Sequence, residues 1–454
     1  MPSHRSPDPL RRPLRGIAAA VREGSLDPDD LAERARAAAE AAAGLNAFTV
    51  VASGGAAQRT GPLAGVPFAA KDAIATRDLP TCAASPALAG WTVGEDAAAI
   101  RLLREAGATL IGKANMHELS FGVTSNNAAF GPVRNPYAGD RIAGGSSGGS
   151  AVAVAVGAAA FALAADTGGS ARIPAAHCGL TGFRPSSGRW PDAGLIKVSP
   201  TRDTIGAIVR HADDGLLLDE ILTGDGAMPS VPALRDLRIG LLRAGETDDV
   251  AADLAAIVNG FVDRLRSAGA AIVELDASAL FELEAQCGFP IALHEARIEL
   301  MALAGDLGIG FAEFAARIAS PDVRAIVGGL AESGDPQLYD TAIAVTRPAL
   351  QRAYEDLFKG VDVLVMPATP LTAARIGEDD TVTLNGRQVP TFPTYARLTS
   401  PASVAGVPSV SIPVGRTADG LPVGLLVEGR AGSDRALLAA AGALGAVAEP
   451  IPDP

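Results

Sequence analysis

The chain has 454 residues, is 48% hydrophobic and carries a formal net charge of −13. That length allows a large buried core and, on size alone, more than one domain. The acidic balance excludes the clustered Lys and Arg footprint of a nucleic-acid binder. The longest apolar run, residues 151–165, is too short to span a bilayer and contains Gly157.

The N-terminus is basic, but its apolar run is only GIAAAV before Arg22, too short for the core of a signal peptide. A cytoplasmic protein is expected. Cys82, Cys178 and Cys287 lie far apart with no CxxC, neither a disulfide framework nor a zinc site. The histidines (His4, His117, His177, His211 and His294) show no metal-ligand spacing, so no metal and no cofactor is expected. Lysine is scarce: only Lys71, Lys113, Lys197 and Lys359. Arginine supplies the other basic residues, so each lysine invites a question.

Residues 1–15, rich in Pro and Arg, read as a frayed arm, and 16–23 as a short helix ended by Gly24. Asp27 and Pro28 offer a cap and a first-turn proline for an alanine-rich helix over 31–43. Residues 46–51 read as a strand and 53–60 as a loop. Val66 to Ala70 is an apolar strand that Lys71 ends. From the residues alone, that lysine is either a snorkelling edge residue or a buried amine. A helix over 96–105 and a strand over 109–112 follow. The Asn, Gly and Pro density of 119–140 marks a long ordered loop.

Two serine-bearing glycine clusters come next: GGSSGGS at 144–150 and DTGGS at 166–170. Glycine is chosen where backbone takes φ > 0 or comes close to something else, so these read as two loops facing one small site. Residues 203–224 contain a helix. A strand (235–242), a helix (249–269) and a strand (271–275) repeat the unit. Residues 277–345 read as mostly helical, 346–358 as a helix, 361–367 as a strand and 368–400 as a loop region. Strands at 408–413 and 422–427 and a helix over 434–448 close the chain. The alternation predicts an α/β fold in one compact domain.

The first cluster is no phosphate-binding loop, because no Lys-Ser/Thr pair follows its glycines. Gly144-Gly-Ser146-Ser-Gly148 does match the G-x-S-x-G elbow of α/β-hydrolases, but a loop rather than a strand precedes it. The pattern resembles the amidase signature family of serine hydrolases far better. The matching blocks are residues 61–215 and 361–430, about half the chain. The resemblance implies a central mixed, mostly parallel twisted sheet covered by helices on both faces, and a catalytic domain over 61–454, with residues 1–60 as an arm and helices packed on it and a variable, substrate-shaping region at about 277–400.

The resemblance also implies a Ser–cis-Ser–Lys triad. Ser170 is the nucleophile, Ser146 the bridging serine in a cis peptide with Gly145, and Lys71 of GVPFAAKD the base. The backbone of Thr167, Gly168, Gly169 and Ser170 resembles the family's oxyanion hole. Ser147, Asp166 and Arg172 are supporting residues, the last two expected to pair. The chemistry is consistent with those roles. A serine hydroxyl needs a base to accept its proton, and a lysine serves only if desolvation keeps it neutral.

The segments 116–131 and 199–210 look like the aryl-acetamide branch, similar to mandelamide and indoleacetamide hydrolases. The expected reaction is hydrolysis of a small aryl or arylalkyl amide through an acyl-enzyme. Ser120, Phe121, Gly122 and Tyr395 are candidate substrate contacts. Leu425-Leu426 stands where the family usually has a glutamine, and 366–370 departs from its usual turn. Both departures imply altered pocket polarity, which keeps carbamate cleavage open as an alternative. An amidotransferase subunit is a further, weaker alternative. The expected partner is a small-molecule amide or carbamate, with no nucleic acid and no membrane, and the expected state a monomer or homodimer.

Overall fold

The computed structural model describes residues 8–54, 57–330 and 335–454. Parts of the expected N-terminal arm, of the 53–60 loop and of the 277–345 helical region lie outside these residues, as does His4. The strands are β1 (Phe48–Val51), β2 (Pro67–Lys71), β3 (Thr109–Ala114), β4 (Phe161–Asp166), β5 (Thr181–Arg184), β6 (Thr204–Val209), β7 (Arg238–Arg243), β8 (Ala271–Asp276), β9 (Val363–Pro367), β10 (Thr381–Leu384), β11 (Arg387–Pro390), β12 (Ser409–Arg416) and β13 (Pro422–Glu428). Eleven of them form one sheet, ordered β1-β3-β2-β4-β6-β5-β12-β13-β9-β7-β8, and β10 pairs with β11 apart from it.

Both faces of the sheet are covered. Along β2 and β4, Phe68, Ala70, Phe161, Leu163 and Ala165 join one buried cluster. Their alternates Ala69, Ala162 and Ala164 join another, with Ala151–Ala155 of the helix Gly148–Ala155. This is the period-two alternation of a strand with each face against its own layer.

The sheet is mixed, as expected, but not mostly parallel. Pairing is parallel at β3–β2–β4 and at β8–β7–β9. It is antiparallel at every other pair of the sheet. The fully buried central strands explain the misreading. A strand covered on both faces reads as a continuous apolar run whichever way its neighbours point.

Two further readings are corrected. Residues 8–15 are no frayed arm: Leu10 and Leu14 are buried, and the Leu14 N–H donates to Asp214 Oδ1 at 2.8 Å. Residues 203–224 do contain a helix, Ala212–Thr223, which the buried strand β6 precedes. Region 368–400 holds the β10–β11 hairpin and a helix, Thr391–Ala396. The cap at Asp27 forms as expected, its Oδ1 accepting the Asp29 N–H at 2.8 Å.

Candidate active site

β2 delivers Lys71 from its C-terminal end into the interior, fully buried. Its Nζ donates to Ser146 Oγ at 2.7 Å. Burial pushes the Lys71 pKa down to about 7, against the opposing pull of Asp166 and Asp203. The lysine is the buried amine, not the edge residue.

Ser146 lies just before the helix Gly148–Ala155, and its peptide bond to Gly145 is cis. Its carbonyl accepts the His117 N–H at 3.0 Å and the Ser125 hydroxyl at 3.2 Å. Glycine at 149 is what lets this helix seat against β3. A Cβ there would lie 2.3 Å from the carbonyl oxygens of both Ala47 and Asn115.

The DTGGS loop follows β4. Asp166 is fully buried and takes both prongs of Arg172, Nε at 2.9 Å and an Nη at 2.8 Å. Burial alone would raise the carboxyl's pKa, but Arg172 and Arg184 hold it well below the usual carboxylate range. The expected Asp166–Arg172 pair is therefore present. Ser147 binds this loop from the other side: its N–H donates to the Ser170 carbonyl at 3.1 Å, and its hydroxyl donates to the Ala165 carbonyl at 3.3 Å. The two serine loops are joined through this backbone contact. Among the described residues no side-chain hydrogen bond links Ser146 to Ser170.

One expected oxyanion donor is engaged elsewhere. The Gly169 N–H donates to Asp166 Oδ1 at 2.8 Å, so it points away from any substrate. The amides of Thr167, Gly168 and Ser170 have no hydrogen-bond partner among the described residues. Thr167 Oγ1 donates to Asp203 at 2.6 Å, and the Gly168 carbonyl accepts Thr399 Oγ1 at 2.6 Å.

Ser170, Thr167 and Gly168 lie on the wall of a cavity of about 610 Å³. The wall is largely apolar and aromatic, with Phe121, Ile173, Phe289, Leu293, Leu330 and Phe392. The Phe289 and Phe392 ring centroids are 6.2 Å apart.

A family model, Amidase, matches residues 31–438. The chain belongs to the amidase signature family. It is 41% identical over 433 residues to an indoleacetamide hydrolase of Agrobacterium vitis, covering 91% of this chain and 92% of that one. It is 40% identical over 409 residues to a mandelamide hydrolase of Pseudomonas putida, covering 84% and 78%. One component of the glutamyl-tRNA(Gln) amidotransferase of Thermobifida fusca is 36% identical over 413 residues, covering 82% and 79%. Among solved structures, one described as the crystal structure of an amidase superposes with a TM-score of 0.86 at 31% identity, covering 96% of this chain and all of that one. The protein is an amide-hydrolysing enzyme.

In this amidase Ser120, Phe121 and Gly122 do line the cavity. Tyr395 does not: it is fully buried, donates its hydroxyl to the Thr372 carbonyl at 2.7 Å and stands edge-on to His177. Its helix neighbours Phe392, Pro393 and Ala396 face the cavity instead. Leu425, Leu426 and residues 366–370 are likewise absent from the wall, so the polarity change expected from them does not reach the cavity. Among the described residues no histidine lines it.

Sequence reasoning named the region that supplies Glu284, Phe289 and Ile326 but not those residues, and it missed Arg202 and Asp203. The polar TRD run directly ahead of the apolar β6 is the signal that could have found the last two.

Proposed function

We propose that this amidase hydrolyses the C–N bond of a small aryl or arylalkyl amide, with Ser170 as nucleophile, Ser146 as proton relay and Lys71 as base. The observation that carries the reading is the 2.7 Å contact between a fully buried, lysine-borne amine and Ser146 Oγ, one loop away from Ser170 on the cavity wall.

Ser170 Oγ attacks the carbonyl carbon. Its proton passes to Ser146, whose own proton passes to Lys71 Nζ. The oxyanion accepts from the free amides of Thr167, Gly168 and Ser170, donors already in place before charge develops. Collapse breaks the C–N bond, and the amine leaves with the proton returned through Ser146. Water then attacks the acyl-Ser170 ester by the same route, releasing the carboxylic acid. The reading takes the enzyme to act in the cytoplasm as a monomer or homodimer, without a cofactor.

The aromatic wall favours a neutral aryl acyl group over a charged one. Both arginines on it are tied to protein acceptors: Arg202 to Thr167, Gly288 and Ser400, and Arg397 to Asp249. Neither is left for the α-carboxylate of glutamine, which argues against the amidotransferase reading. Carbamate cleavage has lost the observation that favoured it and serves as a comparison substrate.

The test is a panel of primary aryl-acetamides, anilides and aryl carbamates, assayed with the purified chain and with Lys71→Ala. Turnover of aryl-acetamides that Lys71→Ala abolishes is expected. Preference for carbamates, or activity only with a partner protein, would overturn the assignment.

A further inference from the structure

We propose that Arg202 is a positioning residue for the oxyanion-binding peptide, acting through the carbonyl of Thr167. This rests on the acyl-transfer reading of Ser170 given above.

Thr167 and Gly168 of the DTGGS loop line the cavity, and the successive peptide groups there are held differently. The Gly168–Gly169 peptide is fixed at both ends: its carbonyl accepts Thr399 Oγ1 at 2.6 Å and its N–H goes to Asp166 at 2.8 Å. The Thr167–Gly168 peptide is fixed at one end only. Its carbonyl accepts Arg202 Nε at 3.1 Å, while the Gly168 N–H has no partner among the described residues. A trans peptide is planar, with its C=O and N–H pointing in opposite directions. Anchoring the carbonyl therefore aims the amide.

The anchor is a guanidinium, so the bond is charge-assisted. A cation on the carbonyl oxygen draws electron density along the peptide and makes the N–H at the other end a stronger donor, as hydrogen-bonded chains polarise one another. The amide that should meet the oxyanion is thus the one that a buried cation polarises from behind.

Arg202 is itself held for this task. It is buried, one Nη donates to the Gly288 carbonyl at 2.7 Å, and the other donates to Ser400 Oγ at 2.9 Å, which in turn donates to Glu284 at 2.5 Å. Gly288 lies in the helix Ser278–Asp306 and Ser400 opens the helix Ser400–Ala405. The guanidinium cannot swing away from Thr167 without breaking contacts to two other elements. Lysine could carry the charge but not the three-way fork.

The test compares wild type, Arg202→Gln, Arg202→Lys and Arg202→Ala on one aryl-acetamide, with Ser170→Ala alongside. Arg202→Gln is expected to lower kcat about 10–100-fold, below the 10²–10³ of losing an oxyanion donor outright, with KM within about threefold. The inhibition constant of an arylboronic acid, which forms a tetrahedral adduct on the serine, should rise by the same factor as kcat falls. Arg202→Lys should recover only part of the loss, and methylguanidinium should restore kcat to Arg202→Ala.

An unchanged kcat, a loss confined to KM, or unchanged boronic acid affinity would overturn the proposal. If Arg202→Gln fails to fold, methylguanidinium rescue of Arg202→Ala and the Arg202→Lys kinetics decide it. Activity surviving in Ser170→Ala would instead sink the acyl-transfer reading, whatever the Arg202 variants do.

Discussion

The pH dependence of turnover gives the sharpest test of the site. Lys71 accepts a proton only as a neutral amine. An ordinary lysine, with a pKa near 10.4, is about 0.1% neutral at pH 7.5, whereas one at about 7 is roughly three-quarters neutral. Burial thus makes the proposed base available several hundred-fold more often at that pH. The log of kcat/KM for an aryl-acetamide should rise with unit slope below pH 7 and level off above it. The same shift has a stability signature with a definite sign. The unfolded chain keeps this proton up to about pH 10.5, while the folded chain releases it above about 7. Between those values the unfolded state binds more protons, so native stability rises with pH by up to about 1.4 kcal/mol per pH unit. Denaturant unfolding of wild type and Lys71→Met from pH 6 to 10 isolates that term, and the wild type should gain on the variant across the window. A kcat/KM inflection above pH 9, full activity in Lys71→Met, or parallel stability curves would each refute the reasoning.

Ser170→Ala should abolish turnover and remove the mass increment that an aryl fluorophosphonate adds to the wild-type chain, read by intact-protein mass spectrometry. Gly122→Ala would set a Cβ 2.2 Å from the His117 ring, which is pinned between Asp322 at 3.0 Å and Thr124 at 3.3 Å. Overpacking of this kind costs about 1–3 kcal/mol; a lower Tm and a higher KM for aryl-acetamides are expected from melting curves and steady-state kinetics. Asp166→Asn leaves the Arg172 guanidinium buried and unpaired, so a loss of about 3–5 kcal/mol is expected in denaturant unfolding at pH 7. Because the Asp166 pKa is lowered on folding, its contribution is present above the ordinary carboxylate range and fades only as pH falls through the depressed value.

The parts of the site legible in the sequence were those carried by local pattern. Lys71 stood out as a lysine after an apolar strand in a lysine-poor chain, and Ser146 and Ser170 stood inside glycine clusters that have few other uses. What was not legible depends on which way a group points. Composition cannot show that the Gly169 amide turns to Asp166, or that Tyr395 faces His177 while Phe392, three residues earlier, faces the cavity. The wall comes from segments distant in the chain, such as Phe121, Arg202, Glu284 and Phe392, which only the tertiary fold brings together. Some of the missed fold did have a local signal. Asn385-Gly386, both at positive φ, is the dipeptide of a tight hairpin turn between β10 and β11. The short helix Thr391–Ala396 contains Pro393 and reads as loop for that reason.

Burial also explains why a lysine suits the role of base proposed for this core. His177 sits directly behind the loop that carries Ser146, close enough that a Cβ at Gly144 would lie 2.9 Å from its Nδ1. It is as buried as Lys71, and burial pushes its pKa from 6.5 down to about 4. Lys113, buried on the neighbouring strand, falls from 10.5 to about 8. Desolvation acts in the same direction on each cationic acid, so the starting value decides where the group ends. An imidazole placed in such a dry site is too weak a base to take a hydroxyl proton, while an amine, starting about four units higher, arrives close to neutrality, where a general base works best. Burial of Lys71 and its proposed role as a base therefore go together: opening its surroundings to solvent would return Lys71 toward 10 and protonate it, and replacing it by histidine would leave the base several units too acidic.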